Sequence, residues 1–114
     1  MATGASRYDL ARFGQADRIV MTDVHVDVAR QAAARVNDLV GREVAESAAV
    51  YASDPASVKT VVTGARVALS AVPYYFNLGI TEACIASGTS LCDLGGNTEV
   101  VWSQLRLDDV ARRA

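Results

Sequence analysis

Val67 to Val72 is apolar at every position except Ser70, and Pro73 ends the run. A strand that is apolar without alternation hides both of its faces, as the strands of parallel sheets do. Proline closes it because its ring nitrogen has no hydrogen to give to a ladder. Three other short runs stop in the same way at polar or glycine residues. They are Ile19-Val20-Met21 before Thr22-Asp23, Ala48-Ala49-Val50-Tyr51 before Asp54-Pro55, and Ser90-Leu91-Cys92-Asp93-Leu94 before Gly95-Gly96. Helical patterns lie between them. Val28, Ala32, Val36, Leu39 and Val40 recur at helical spacing and predict an amphipathic helix that Gly41 ends. Asp54-Pro55 is an N-cap followed by proline at the first helical position, with Val58, Val61 and Val62 as the buried stripe and Gly64 as the stop.

Leu78 to Ala86 reads as a helix with Ile80, Ala83 and Cys84 on one side and Gly88 at its end. Asn97 or Thr98 caps a last helix carrying Val101, Leu105 and Val110, with Trp102 packing and with Gln104, Arg106 and Asp108 on the polar side. Strands separated by helices cannot pair as hairpins, so they require right-handed crossovers and a parallel sheet. The expected fold is therefore α/β: a doubly wound parallel sheet of about four strands with helices on both faces, forming a single domain over residues 1–114.

The chain opens unusually for that fold. Arg7 to Phe13 reads as the end of a helix closed by Gly14, and Met1 to Ser6 is too short and too polar for a buried central strand. In the usual order of such sheets the first strand lies between the second and the fourth. Its loss predicts unpaired edges, and so either a sheet that closes up or a homo-oligomer, a dimer joined across the gap or by swapping.

Charge and composition exclude several functions. Eleven basic residues against thirteen acidic ones leave a net charge of −2, with no basic footprint for nucleic acid. No apolar run approaches the roughly 20 residues that span a bilayer, and Met1 to Arg12 lacks the apolar core of a signal peptide. The two cysteines, Cys84 and Cys92, sit in apolar segments, which favours buried free thiols and a cytoplasmic location over a disulfide.

In an open parallel sheet, ligands bind at the carboxyl ends of the strands. The candidates are Asp23, then Ser53 and Asp54, then Pro73 to Asn77, then Asp93 to Asn97. Asp23 has two readings. A carboxylate ending a strand of a dinucleotide fold accepts from the adenosine ribose hydroxyls and repels a 2′-phosphate, favouring NAD over NADP. Equally, it caps the helix that begins near Val24. The glycine fingerprint for pyrophosphate is reduced to Ala2-Thr3-Gly4-Ala5-Ser6, so the close backbone approach that it normally provides is missing. His25, the only histidine, reads as a solvated turn residue, and the cysteines make no metal-ligand pair with it. Ser70 lacks nucleophile-elbow glycines and reads as a core hydroxyl. Tyr74-Tyr75-Phe76 either lines a pocket or covers the sheet edge.

The segments "YDLARFG", "RIVMTDVHVDVARQAA" and above all "ALSAVPYYFNLGITEACIASGTSLCDLGGNTEV" carry a resemblance. Tyr8 to Ala114 resembles the N-terminal cofactor domain of saccharopine dehydrogenase-like oxidoreductases, including lysine 6-dehydrogenase. The resemblance implies a Rossmann-like domain that binds NAD(P) for oxidation or reduction of an amino-acid C–N bond. By that similarity Asp23 matches the ribose-binding acid, Asp54 lies beside the adenine, and Ala71, Val72 and Pro73 form the loop that passes the cofactor. Asp93, Gly95, Gly96 and Asn97 match the strand end facing the nicotinamide, and Gly4 is what remains of the glycine turn. Members of the family open with a strand and a glycine-rich turn and continue into a substrate domain, neither of which is found in these 114 residues. The expectation is a truncated cofactor domain without catalytic or metal-ligating residues. It would hold NAD weakly and NADP less well, and be inactive alone. The alternative is a non-catalytic, self-associating protein that binds no nucleotide.

Overall fold

The computed structural model describes residues 4–114, and Thr3, expected in the remnant glycine turn, lies outside them. The chain divides into two compact units, Met1–Val50 and Tyr51–Ala114. Each contains one pair of parallel strands with a helical crossover, which gives a Rossmann-like α/β arrangement hydrogen-bonded as two small sheets.

The first unit runs α1 (Gly4–Phe13), β1 (Ile19–Asp23), α2 (Val26–Val40), β2 (Ala45–Ala49). Ile19 stands opposite Ala45 and Asp23 opposite Ala49. The ladder is extended at both ends, where the Ile19 N–H donates to the Val44 carbonyl at 2.8 Å and the Val50 N–H to the Asp23 carbonyl at 3.1 Å. The second strand therefore begins at Ala45 and not at Ala48 as expected. Asn37 explains the shift. Its Oδ1 accepts from the N–H groups of both Val44 and Ala45, at 2.9 and 2.8 Å, and its Nδ2 donates to the Ala45 carbonyl at 2.8 Å. A buried amide that meets three backbone groups sets where the strand starts.

The same amide turns α2. Its buried residues are Ala29, Ala33, Val36 and Asn37, while Val28 and Leu39, expected inside, are exposed. Alanines at the contact let the helix backbone approach the strands closely, and the core gathers Ala11, Met21, Ala33, Val36, Val44 and Ala45. Gly41 ends α2 at φ 72°, with its N–H on the Asn37 carbonyl, a left-handed cap that suits glycine. The Arg42 guanidinium then donates to the Ala11 carbonyl at 3.0 Å, satisfying one of the free carbonyls near the end of α1.

The second unit runs α3 (Pro55–Val62), β3 (Val67–Ser70), a single 3₁₀ turn (Tyr74–Phe76), α4 (Asn77–Ser87), β4 (Ser90–Asp93), α5 (Thr98–Leu105) and α6 (Asp108–Arg112). Val67 stands opposite Ser90 and Ser70 opposite Asp93. α4 packs on both strands, on α3 and on α5, and its buried residues Ile80, Ala83 and Cys84 join Val58 and Val62 in the core, as the spacing predicts. The Thr89 hydroxyl donates to the Val62 carbonyl at 2.9 Å and so pins the end of α3 to the start of β4.

Three expectations are corrected in this unit. β3 is not hidden on both faces: Val67 is 62% and Leu69 40% exposed, while Ser70 is buried. Cys92 is exposed and only Cys84 is buried, because alternate residues of β4 face away from α4. The last helix breaks in two at Arg106–Leu107, with Val101, Trp102, Leu105 and Val110 all exposed. Gln104, expected on the outer side, is turned inward. Its amide donates to Asp93 and Thr81, and those bonds decide which face of α5 is inside.

Candidate functional site

Asp23 closes β1 on the carboxyl side, one residue before the turn into α2. Its Oδ1 accepts the His25 N–H at 3.0 Å, an Asx-type turn that leads the chain into the helix. His25 itself is the N-cap residue, in extended conformation and without a side-chain cap bond, so the capping expected of Asp23 acts one step earlier. Asp23 is half-buried. One carboxylate oxygen is committed to the turn, and no bond within the described residues takes the other. Such a group accepts a hydroxyl hydrogen without breaking the local structure. Gly4, placed by resemblance in the pyrophosphate turn, is the first residue of α1.

In the second unit the parallel register brings two loops to one end of the sheet. Ala71, Val72 and Pro73 follow Ser70, and Gly95, Gly96 and Asn97 follow Asp93, its partner. Asp93 is spent inside this loop. Its Oδ1 accepts the Gly95 N–H at 2.7 Å and its Oδ2 accepts the Gln104 amide at 2.7 Å, which also donates to the Thr81 hydroxyl at 2.9 Å. Gly95 and Gly96 take φ of 67° and 115°, values that suit glycine, and Asn97 caps α5 by accepting the Val100 N–H at 3.0 Å. Ser70 donates to Asn77 at 3.4 Å, a long bond between two buried groups, and so stays the core hydroxyl expected.

Pro73 caps the 3₁₀ turn, with the Phe76 N–H on its carbonyl at 3.1 Å. Tyr74 and Tyr75 meet edge to face at 5.6 Å, and Tyr75 and Phe76 are 4.5 Å apart. Both tyrosines are exposed, so the cluster presents an aromatic surface beside the glycine loop. A Cβ on Gly96 would lie 3.5 Å from the Tyr74 Cβ, which puts the ring base against that loop. Asp54 is exposed and caps α3 through its Oδ1 and the Ala56 N–H at 3.0 Å.

Among the described residues no group of three His, Cys, Asp or Glu side chains is placed to hold a metal. Burial pushes the Cys84 thiol above its ordinary pKa, which keeps it protonated and unreactive. The Gln104–Asp93–Thr81 chain escaped sequence reasoning. A helix glutamine reads as solvent-facing until its acceptor on another element is known.

No helix of the described residues is long and apolar enough to cross a membrane. A family model described as the saccharopine dehydrogenase NADP binding domain matches residues 5–114. No curated protein and no solved structure matches the chain.

Proposed function

Because the chain belongs to the saccharopine dehydrogenase NADP-binding domain family, we propose that it holds the adenosine side of NAD at Asp23, as the cofactor-binding part of an oxidoreductase of amino-acid C–N bonds. The observation that carries this reading is the half-satisfied carboxylate at the end of β1. Oδ1 is fixed by the His25 N–H and Oδ2 is left to accept a ribose hydroxyl. A carboxylate oxygen left to accept fits a dinucleotide with a free 2′-hydroxyl. A 2′-phosphate at the same place would bring two negative charges within a few ångströms, so NAD is favoured over NADP. Bound, the cofactor supplies the hydride chemistry. The chain's own residues contribute position and local charge.

By this reading the 114 residues bind but do not turn over. His25 is exposed, and Asp93 and Asn97 spend their side-chain acceptors on the fold. Within the second unit by itself, Ala71, Val72 and Pro73, with Gly95 and Gly96, lie at one end of the parallel pair and present backbone and not a proton donor. The free thiols, Cys92 exposed among them, support a reducing compartment, the cytoplasm.

Calorimetric titration with NAD, NADH and NADP tests the proposal. NAD should bind weakly and NADP more weakly still. Asp23→Asn keeps the acceptor for the His25 N–H, so stability should hold while NAD affinity drops roughly tenfold, about 1.4 kcal/mol, and the preference over NADP shrinks. A folded chain that gives neither heat nor thermal shift at millimolar dinucleotide would overturn the reading.

A further inference from the structure

α5 is built inside out. At 100° per residue, Val100, Ser103 and Gln104 share the side turned toward the unit's interior, and all three are half-buried. The opposite side carries Thr98, Val101, Trp102 and Leu105, all exposed, the last three at 40%, 60% and 58%. The inner face thus sets a serine and a glutamine beside Val100, while the outer face holds the tryptophan. A groove of about 430 Å³ runs beside this outer stripe, lined by Gly96, Asn97, Thr98, Val101, Trp102 and Leu105. A helix apolar on its outer side is one that packs against something.

The charges beside the stripe say what. Glu99 and Arg106 are seven positions apart, so they fall on one flank, about 20° from each other around the axis. Arg106 continues the helical backbone at φ −65° and ψ −13°. Among the described residues neither is in an ion pair, and the Arg106 guanidinium donates to the Ser103 hydroxyl at 3.0 Å. Two antiparallel helices related by a twofold axis set like flank against like flank. An axis passing near Trp102 brings Glu99 beside the partner's Arg106, and Arg106 beside the partner's Glu99. The acid at one end of the stripe and the base at the other make the surface complementary to itself.

We propose that the outer face of α5 is a self-association surface, on which α5 of a second copy packs antiparallel around Trp102. The surface lies within the second unit and needs no bound nucleotide, so it stands or falls apart from the cofactor reading.

Trp102 is the only tryptophan, which makes it the probe. Sedimentation equilibrium on the 114-residue chain should give a mass rising from 12.0 kDa toward twice that value with concentration. Trp102 emission should shift to the blue over the same range as the indole leaves water. Glu99→Arg and Arg106→Glu should each weaken the dimer roughly tenfold by setting like charges together. The double reversal should restore it to within a few-fold. Circular dichroism checks that each variant is folded, and the charge pair serves as the test should a Trp102→Asp chain fail to fold. Three results would overturn the proposal: a wild-type chain that stays monomeric at hundreds of micromolar, a dimer indifferent to either reversal, or a double reversal that does not recover. The first assigns the stripe to a different partner, and the other two place the dimer contact elsewhere.

Discussion

Asn37 decides more of the first unit than any apolar residue in it. It lies on α2, 8% exposed, and joins that helix to the start of β2 through Val44 and Ala45. Removing it strands the Ala45 N–H and carbonyl in a dry place and leaves the Val44 N–H only the Arg42 carbonyl, and each unsatisfied group costs about 1–3 kcal/mol. Asn37→Ala should lower unfolding stability by about 2–4 kcal/mol, read from the urea midpoint, while an exposed neighbour such as Asp38→Ala should move it little. A loss below half a kilocalorie would mean that water replaces the amide. Asp23 and Asn97 were legible as turn and cap residues because an Asx group reaches partners two or three residues away. Asn37 was not legible, since its partners are set by where the crossover returns.

Among the elements, α4 follows its sequence and α5 departs from it. The apolar spacing of α4 buries Ile80, Ala83 and Cys84 as expected. Cys84 is 1% exposed, and its thiol pKa is raised because burial disfavours the thiolate. The unfolded chain ionises this thiol at lower pH than the folded one, so the unfolded state binds fewer protons in the alkaline range. Stability should therefore be flat through neutral pH and fall as pH climbs through the ordinary thiol range, about 8–9. Replacement by alanine should remove that part of the decline. A thiol reagent at neutral pH should titrate Cys92 at once and Cys84 only on unfolding; two equal fast phases would contradict the burial. α5 departs from its sequence pattern because of a polar partner. Its residues alone favour Val101 and Leu105 inside, but Asp93 and Thr81 need a donor and Gln104 supplies it.

For the whole molecule, the described strands form two parallel pairs, and each strand has one hydrogen-bonded neighbour. Each strand thus has one edge outside a ladder, covered on β2 at Ala45 by the Asn37 amide, and a strand edge outside a ladder invites association. Together with the outer face of α5 this predicts a melting temperature that depends on protein concentration. A hundredfold increase should raise it by several degrees, because only the associated state gains from mass action. The reading with NAD predicts a separate rise on adding ligand at fixed protein concentration. Scanning calorimetry over a grid of both variables separates the two effects, and a melting temperature constant along either axis removes the corresponding one.

Local chemistry determined the alternation of strands and helices, the parallel direction and the position of Asp23 at the end of β1. Proline, glycine, caps and apolar spacing act over a few residues and need no distant partner. The start of β2 at Ala45, the buried face of α2, the exposure of Val67 and the inversion of α5 were decided by the tertiary structure. Each turns on a polar group that must find a partner on another element, or on whether another element covers a face. Asp93 shows the division within one residue. Its place at the strand end was readable, but that both its oxygens are held by Gly95 and Gln104 depended on how α5 packs.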